Sequence, residues 1–322
     1  MLHIVCPNTS IDVKIELDNF TLGEVQRAVK SQGFAAGKGV NCAFTCDYID
    51  KAVMLHAMVG ELDKDYFQNS VSSSISTKLF SISGETRRNL TIVDSKGLIA
   101  HIQTTGYSAS DDEVSDFIKT ITGAVSLEDT VLISGSLPSG FSDERLNELI
   151  FKLSNVGAVV NIDTDLKRLR KDGNLSINCI KPNIEELLNY AKINKISDFE
   201  EIIESLHSLK VSTIIVTCGS EGSYLVRGAD QPVLFSQSSS DLQGMEAVGS
   251  GDAFIAVYTA MTSEGVNERT ALQHATSAGH SNIYHEGPGR IGQTYFEIFQ
   301  HVRVIEISYD QVVDIMNEYL SK

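Results

Sequence analysis

The sequence predicts an α/β fold in which a mostly parallel central sheet is flanked by helices, with a small additional β-sheet. Strand-like apolar runs alternate with helical stretches along most of the 322 residues, which is typical of βαβ units. Two strand-like patches, at 13–17 and 77–104, break this alternation, and we expect them to form a β-element apart from the main sheet. Because no linker or repeat interrupts the chain, we expect a single domain over residues 1–322.

Short apolar runs identify the strands of the main sheet. They are predicted at 2–6, 53–59, 131–134, 158–162, 176–181 and 213–217. Helices are predicted at 40–48, 63–74, 111–120, 252–261, 268–284 and 309–319. Since ligands of open α/β sheets bind at the carboxyl ends of the strands, the loops that follow these strands should carry the functional residues.

The composition of the chain limits the kinds of molecule that the protein is expected to bind. The chain is 42% hydrophobic and 21% charged, as globular proteins are, and its net charge of −16 argues against binding nucleic acid. No apolar run is long enough to cross a bilayer, and no secretory signal is recognised, so we expect a cytoplasmic protein without a membrane partner. The five cysteines contain no Cys-x-x-Cys pair, which indicates neither a disulfide framework nor a zinc site.

The glycine-rich segment 33–39 resembles a nucleotide phosphate loop but has the wrong spacing. A phosphate loop has four residues between its first glycine and the Gly-Lys pair, but only three lie between Gly33 and Gly37-Lys38. Gly39 stands where Ser or Thr would hold a metal ion. The helix that follows offers free N–H groups to an anion, and Lys38 would add a charge. A tight loop with a solvated lysine explains the segment equally well.

A second glycine-rich segment, Gly249-Ser250-Gly251-Asp252, opens a predicted helix. Asp252 could simply cap that helix. The backbone N–H groups of residues 249–251 would also form an anion-binding nest at the positive end of the helix dipole. A carboxylate next to an anion hole suits phosphoryl transfer, because the carboxylate can take the proton of the attacking hydroxyl.

Six motifs in chain order resemble those of one enzyme family. They are Asn8-Thr9-Ser10-Ile11-Asp12, Gly37-Lys38-Gly39-Val40-Asn41, Thr86-Arg87-Arg88-Asn89, Gly135-Ser136-Leu137-Pro138, Lys181-Pro182-Asn183 with Glu186, and Gly249-Ser250-Gly251-Asp252. Together they resemble the ribokinase-like (PfkB) carbohydrate kinases, and most closely the branch of 1-phosphofructokinase and tagatose-6-phosphate kinase.

The resemblance implies a reaction and a role for each motif residue. The expected reaction is ATP-dependent phosphorylation of a ketohexose monophosphate, fructose 1-phosphate or tagatose 6-phosphate, with ATP and Mg²⁺ as cofactors. Asp252 would be the catalytic base, and Gly249, Ser250 and Gly251 would form the anion hole. The sugar phosphate would be bound by Asp12, Gly37, Lys38, Asn41, Arg87, Asn89 and Ser136, with Lys38 and Arg87 near its phosphate. ATP would be bound by Lys181, Asn183, Thr217, Gly219, Gly222 and Asn282, and Glu186 would serve the metal ion.

In that family the strands outside the alternation form a lid over the sugar, here near 12–32 and 84–106, and the lid is often shared in a homodimer. Three positions depart from the family pattern: Thr9 replaces proline in the first motif, Ala36 replaces the first glycine of a Gly-Gly-Lys-Gly motif, and Thr104-Thr105-Gly106-Tyr107 replaces a Glu-Pro-Gly-like turn. The last change leaves the identity of the sugar open.

Other functions are compatible with the same residues. One is a kinase of an unphosphorylated sugar or nucleoside, and another is a sugar- or nucleotide-binding regulator without catalytic activity. A nicotinamide-dependent oxidoreductase is disfavoured, because no Gly-x-Gly-x-x-Gly follows the first strand.

Overall fold

The computed structural model describes residues 1–97, 99–170, 175–192, 199–228, 231–239 and 247–320. The strands within these ranges are Leu2–Cys6 (β1), Ser10–Leu17 (β2), Lys30–Ala36 (β3), Val53–Gly60 (β4), Ser76–Ile82 (β5), Arg87–Asp94 (β6), Ile99–Gln103 (β7), Thr130–Ser134 (β8), Val159–Asp163 (β9), Ile177–Ile180 (β10), Val211–Thr217 (β11), Ser223–Val226 (β12), Val233–Ser238 (β13) and Val302–Ile307 (β14).

The α-helices in the same ranges are Lys38–Tyr48 (α1), Lys64–Ser70 (α2), Asp111–Ala124 (α3), Asp143–Asn155 (α4), Ile184–Ala191 (α5), Phe199–His207 (α6), Ser250–Ser263 (α7), Glu268–Asn282 (α8), Thr294–Phe299 (α9) and Tyr309–Leu320 (α10). None of the helices in the described ranges is both long and apolar enough to cross a membrane.

The strands form two sheets. The main sheet has the order β14-β13-β12-β11-β10-β9-β8-β1-β4-β5, in which neighbours from β11 to β5 run parallel and β12, β13 and β14 add an antiparallel edge. The small sheet has the order β3-β2-β6-β7. The predicted fold class, with a mostly parallel central sheet and a small separate sheet, is confirmed.

Helices cover both faces of the main sheet. Ile4 and Val5 are adjacent in β1, so their side chains point to opposite faces. Ile4 packs in the core under α1, α7 and α8, while Val5 packs in the core that contains residues of α3, α4, α5, α6 and α10. The apolar runs that predicted the central strands are therefore buried on both sides, as parallel sheets require.

The structure corrects two predicted assignments. The run at 77–82 is β5, which pairs in parallel with β4 at the edge of the main sheet and does not belong to the small sheet. Residues 33–36 are not part of a loop, because they complete β3, which pairs with β2 from Ser10 opposite Ala36 to Glu16 opposite Lys30. Alternating polarity shows that a segment is extended, but it does not identify the sheet that the segment joins.

One predicted helix is shorter than expected, and the antiparallel edge was not anticipated. The helix predicted at 63–74 ends at Ser70, because Val71 adopts an extended backbone. The apolar runs do not predict β12, β13 or β14. Leu98, at the start of the predicted strand at 98–104, lies outside the described residues, and β7 begins at Ile99.

Candidate active site

The amino ends of α1 and α7 meet at the carboxyl edge of the main sheet. Asn41, in the first turns of α1, donates a hydrogen bond from Nδ2 to Asp252 Oδ2 at 2.7 Å. Asp252 lies in the first turn of α7 and is 6% exposed. The sequence interval between these residues is 211 positions, so this contact is a product of the fold and not of local sequence.

Asp252 is electrostatically unusual. Burial raises the pKa of Asp252 to about 6 and Asp163 pushes it in the same direction, against Lys38, the Asn41 hydrogen bond and Lys181. A carboxylate with such a pKa is mostly ionised at neutral pH and is a stronger base than an ordinary aspartate. Asp252 therefore has the properties that a general base needs.

A second buried carboxylate, Asp163, ends β9 and binds two lysines. Lys38 Nζ lies 3.3 Å from Asp163 Oδ2, and Lys181 Nζ lies 3.4 Å from Asp163 Oδ1. Burial raises the pKa of Asp163, but Lys181 and Lys38 outweigh this effect and hold it below its usual value. Asp163 in turn raises the pKa of Lys38, which stays cationic although its side chain is only 40% exposed. The three residues form an ionic cluster beside Asp252.

A cavity of about 580 Å³ opens onto this cluster, and we call it the Asp252 cavity. Its lining includes Asp252, both lysines, Ser250 and Gly251 from the start of α7. Further lining residues come from the start of α5, the end of β11 and the loop after it, and α8, including Asn183, Glu186, Thr217, Gly219, Gly222, Thr276 and His280. Its volume is in the range of small-molecule sites.

Asn183 and Glu186 act together at the start of α5. Asn183 Oδ1 accepts a hydrogen bond from the Glu186 amide, and Glu186 Oε2 accepts one from the Asn183 amide, which forms a capping box. Both residues also line the Asp252 cavity. No group of three or more His, Cys, Asp or Glu side chains in the described ranges is arranged to hold a metal ion. A metal ion at Glu186 would thus need oxygen atoms from a ligand or water, which is how Mg²⁺ is usually bound.

A second cavity, of about 800 Å³, lies between the small sheet and residues 283–288, and we call it the small-sheet cavity. Asp12, Lys14 and Phe34 line it from β2 and β3. Asp12 accepts hydrogen bonds from Asn89 Nδ2 at 2.7 Å and from Ser10 Oγ at 2.8 Å, and burial raises its pKa. Ile283 lines both cavities, so the two are neighbours.

Arg87 and Arg88 lie on opposite faces of β6, as expected for consecutive strand residues. Arg87 donates to the backbone carbonyls of Thr9 and Asn8, at 3.3 and 3.4 Å. Arg88 pairs with Asp63 and Glu85 on the other side. Arg87 thus lies at the end of β1, close to the first predicted substrate motif.

The glycines of the Gly37-Lys38-Gly39 segment are required by packing against β1. Gly37 has a φ of 115°, and a Cβ on Gly39 would lie 2.5 Å from Cys6 Cβ. This close approach places the first turn of α1 on the end of β1 and directs Lys38 towards Asp163. The alternative of a solvated lysine is incomplete, since Lys38 is paired with the buried Asp163, whereas the anion-binding alternative stays a prediction.

Gly249 allows the tight entry into α7. Its φ is 89°, and a Cβ there would lie 2.5 Å from the amide nitrogen of Gly289. Asn282 supports this loop by donating to the Val248 carbonyl at 2.8 Å. The loop that presents the first N–H groups of α7 is therefore held from two sides.

The predicted site residues fall into three groups. Those that line the Asp252 cavity are Lys38, Lys181, Asn183, Glu186, Thr217, Gly219, Gly222, Ser250, Gly251 and Asp252. Asp12 lines the small-sheet cavity, and Asn89 binds Asp12. The remaining predicted residues are not among those that line either cavity: Asn282 is buried behind the α7 loop, Ser136 is exposed and hydrogen-bonded to Asn8, and Gly37, Asn41, Arg87 and Gly249 lie at the positions described above.

Comparison with known proteins identifies the family of this chain. The profile described as pfkB family carbohydrate kinase matches residues 4–292. The chain belongs to this family. It is an ATP-dependent sugar kinase.

Relatives of this kinase carry the names of sugar-phosphate kinases. It is 26% identical over 314 residues to tagatose-6-phosphate kinase of Staphylococcus epidermidis, covering 95% of this chain and 100% of the relative. It is 27% identical over 282 residues to 1-phosphofructokinase of Borreliella burgdorferi, covering 87% and 90%. The crystal structure of phosphofructokinase-2 from Escherichia coli in complex with substrates and products shares its fold, with a TM-score of 0.84, 18% identity and coverage of 93% and 98%.

Sequence reasoning missed one central residue of the kinase, Asp163. The signal was available, because Asp163 is a carboxylate at the carboxyl end of a predicted parallel strand, where ligands bind. It was not recognised because its two partners, Lys38 and Lys181, are brought to it only by the order of strands in the sheet.

Proposed function

We propose that the kinase transfers the γ-phosphoryl group of ATP to a ketohexose monophosphate, fructose 1-phosphate or tagatose 6-phosphate, and releases the bisphosphate. The observation that carries this proposal is the position of Asp252, a buried carboxylate with a raised pKa that lines the same cavity as Lys38 and Lys181. The names of the two curated relatives support a sugar phosphate as acceptor.

The catalytic step follows from this placement. Asp252 accepts the proton of the sugar hydroxyl as the hydroxyl oxygen forms a bond to the γ-phosphorus, and the bond from that phosphorus to the ADP oxygen breaks. The first N–H groups of a helix have no partner within the helix, so the start of α7 can hold the phosphoryl oxygens. Lys38 and Lys181 stabilise the negative charge that is shared by the phosphates.

Asp163 prepares the two lysines for this role. It holds both ammonium groups at the floor of the Asp252 cavity, where a nucleotide would present its phosphates. Mg²⁺, bound with the nucleotide, would neutralise phosphate charge, and Glu186 is the carboxylate in place to hold it, partly through water. The residues present therefore fit a magnesium nucleotide.

We also propose that the small sheet is the lid of the sugar site. Asp12 and Asn89 on its inner face would hold sugar hydroxyl groups, and Asn41 would orient Asp252 towards the reacting one. Burial raises the pKa of Asp12, whereas the hydrogen bonds from Ser10 and Asn89 act in the opposite direction and favour the ionised form that accepts hydrogen bonds.

The lid leaves apolar side chains uncovered in the single chain, and we propose that a second copy covers them. Leu22 and Val25 are 90% and 92% exposed, and Val29 and Ile102 are 65% and 49% exposed. Large apolar surfaces of this kind mark interaction sites. Light scattering after size-exclusion chromatography should give a dimer, and Leu22→Glu with Val25→Glu should give a monomer; a monomeric wild type contradicts this proposal.

A substrate panel tests the proposed function. Initial rates with ATP and Mg²⁺ would be measured for fructose 1-phosphate, tagatose 6-phosphate, fructose 6-phosphate, free fructose, ribose and adenosine. We expect one of the first two to have the highest kcat/KM. If a free sugar or nucleoside is the best substrate, the proposed acceptor, a ketohexose monophosphate, is wrong. Absence of turnover with all six compounds would favour a binding protein.

A further inference from the structure

The small-sheet cavity contains a lysine to which neither the sequence motifs nor the proposed reaction gives a role. Lys14 follows Asp12 by two positions in β2, and alternate residues of a strand share a face. In the sheet register, Lys14 pairs with Thr91 of β6, as Asp12 pairs with Asn89. Asp12, Lys14 and Thr91 all line the small-sheet cavity, so this face of the sheet is the one that meets a ligand.

The other charged residues that line this cavity do not pair with Lys14, so its ammonium group can bind an anionic ligand. The other charged lining residues are Asp12 and Glu286, with His285 beside them, and Glu286 is paired with Lys30 at 3.2 Å. Within the described ranges, Lys14 makes no ion pair or side-chain hydrogen bond. Lys38 and Lys181, by contrast, are both held by Asp163 in the Asp252 cavity.

A ketohexose phosphate has the geometry to use this cation. In fructose 1-phosphate and in tagatose 6-phosphate, the phosphate lies at the end of the carbon chain opposite the hydroxyl that reacts. With the reacting end at Asp252 and ring hydroxyls at Asp12, the phosphate would continue along the small sheet. Lys14 lies about 6.6 Å beyond Asp12, at the strand rise of about 3.3 Å per residue. The hydroxyl of Thr91, opposite Lys14, would be a second donor to the phosphate.

We propose that Lys14 binds the phosphate that the sugar substrate already carries, with Thr91 beside it. This inference rests on the proposed function and makes it more specific, because it assigns recognition of the phosphorylated sugar to the small sheet. It departs from the expectation that Lys38 and Arg87 bind that phosphate, because Asp163 holds Lys38 in the Asp252 cavity and Arg87 donates to the Thr9 and Asn8 carbonyls. In this proposal the lysines of the Asp252 cavity serve the phosphoryl group in transfer, and Lys14 serves the phosphate that does not react.

The test is steady-state kinetics of Lys14→Met, which keeps the length of the side chain and removes its charge. We expect the KM for the preferred sugar phosphate to rise roughly tenfold or more, since a charge-assisted contact is lost, with kcat and the KM for ATP within about twofold of wild type. Lys14→Arg should recover most of the affinity, because it restores the charge. Lys96→Met is the matched control, on the turn after β6, where Lys96 donates to Asn19.

The outcomes are distinct. If Lys14→Met behaves as Lys96→Met does, or raises the KM for ATP as much as that for the sugar, the inference is overturned while the proposed function stands. If wild type phosphorylates no sugar phosphate in the panel, the proposed function fails, and this inference fails with it.

Discussion

The Asp252 cavity and the small-sheet cavity are neighbours, but their charged residues are organised in different ways. In the Asp252 cavity, Asp163 is 1% exposed and binds two lysines, one at the start of α1 and one just after β10. In the small-sheet cavity, Asp12 and Lys14 come from one strand, and only Asp12 is hydrogen-bonded to neighbouring side chains within the described ranges. In the proposed function the chemistry therefore depends on a buried network, whereas sugar recognition depends on side chains of two paired strands, β2 and β6.

This difference has a consequence for specificity. Replacing a member of the buried network leaves an opposite charge without compensation, which is costly. Replacing a strand residue that faces a cavity disturbs little else, since surface substitutions usually change stability by less than about 0.5 kcal/mol. Changes on the small sheet can therefore alter the preferred sugar without loss of the transfer reaction.

The largest effect should come from Asp252, the proposed base in the Asp252 cavity. We expect Asp252→Asn to lower kcat by about 10²–10⁴-fold, because asparagine keeps the shape but cannot accept the proton. ATP binding, measured by calorimetry with a non-hydrolysable analogue, should change little. Near-normal turnover of this variant would remove Asp252 from the mechanism; the capping alternative is already disfavoured, because the N-cap of α7 is Gly249 and no side chain caps the helix.

The next largest effect is a loss of stability on replacing Asp163 in its buried cluster with Lys38 and Lys181. Asp163→Asn leaves Lys38 and Lys181 without their counter-charge, and we expect the free energy of unfolding to fall by about 3 kcal/mol, at the low end for a broken buried pair because Lys38 is partly exposed. Denaturant titration measures this change. Asp165→Asn, at an exposed position two residues further on, is the control and should have a small effect. Equal losses in both variants would contradict a special role for Asp163.

A smaller effect is expected at the rim of the Asp252 cavity. Glu186→Gln keeps a side-chain oxygen for the cap of α5 but removes the charge, so the Mg²⁺ concentration for half-maximal activity should rise by up to about tenfold. The KM for the sugar should stay the same. Glu185→Gln, at the neighbouring cavity-lining position, is the matched control, and identical Mg²⁺ titrations for both variants would exclude a metal-linked role for Glu186.

The two cavities also differ in how far the sequence predicts them. The Asp252 cavity is built at the ends of strands β9, β10 and β11 and at the start of α7, where apolar runs and glycines predict both the elements and the ligand edge. Asp252 and Lys181 follow from that pattern. The pairing of Lys38 with Asp163 does not, because it joins residues 125 positions apart through the order of the strands.

The small-sheet cavity was harder to predict for a different reason. β5 lies in the same strand-rich stretch of sequence as β6 and β7, yet it completes the main sheet, and β3 was hidden in a glycine-rich segment. Strand pairing depends on long-range partners that local pattern does not specify. From the sequence alone, Lys14 is therefore one polar residue of an amphipathic strand. Its position next to Asp12 on the same face of the small sheet follows from the register of β2 with β6.

The most direct test of the central claim, that Asp252 is a base tuned by the lysines of its cavity, is the pH dependence of kcat/KM in wild type and Lys38→Met. Lys38 is the strongest influence that lowers the pKa of Asp252, so its removal should raise that pKa above about 6. Because the base must be ionised, the acid limb of the profile should then move to higher pH. Substrate phosphates also titrate near pH 6, but they do so equally in both enzymes, so the difference between the two profiles reports on the protein. We predict an acid limb at higher pH for Lys38→Met and an unshifted limb for Lys96→Met. A limb for Lys38→Met that coincides with that of wild type, or that lies at lower pH, would contradict the claim.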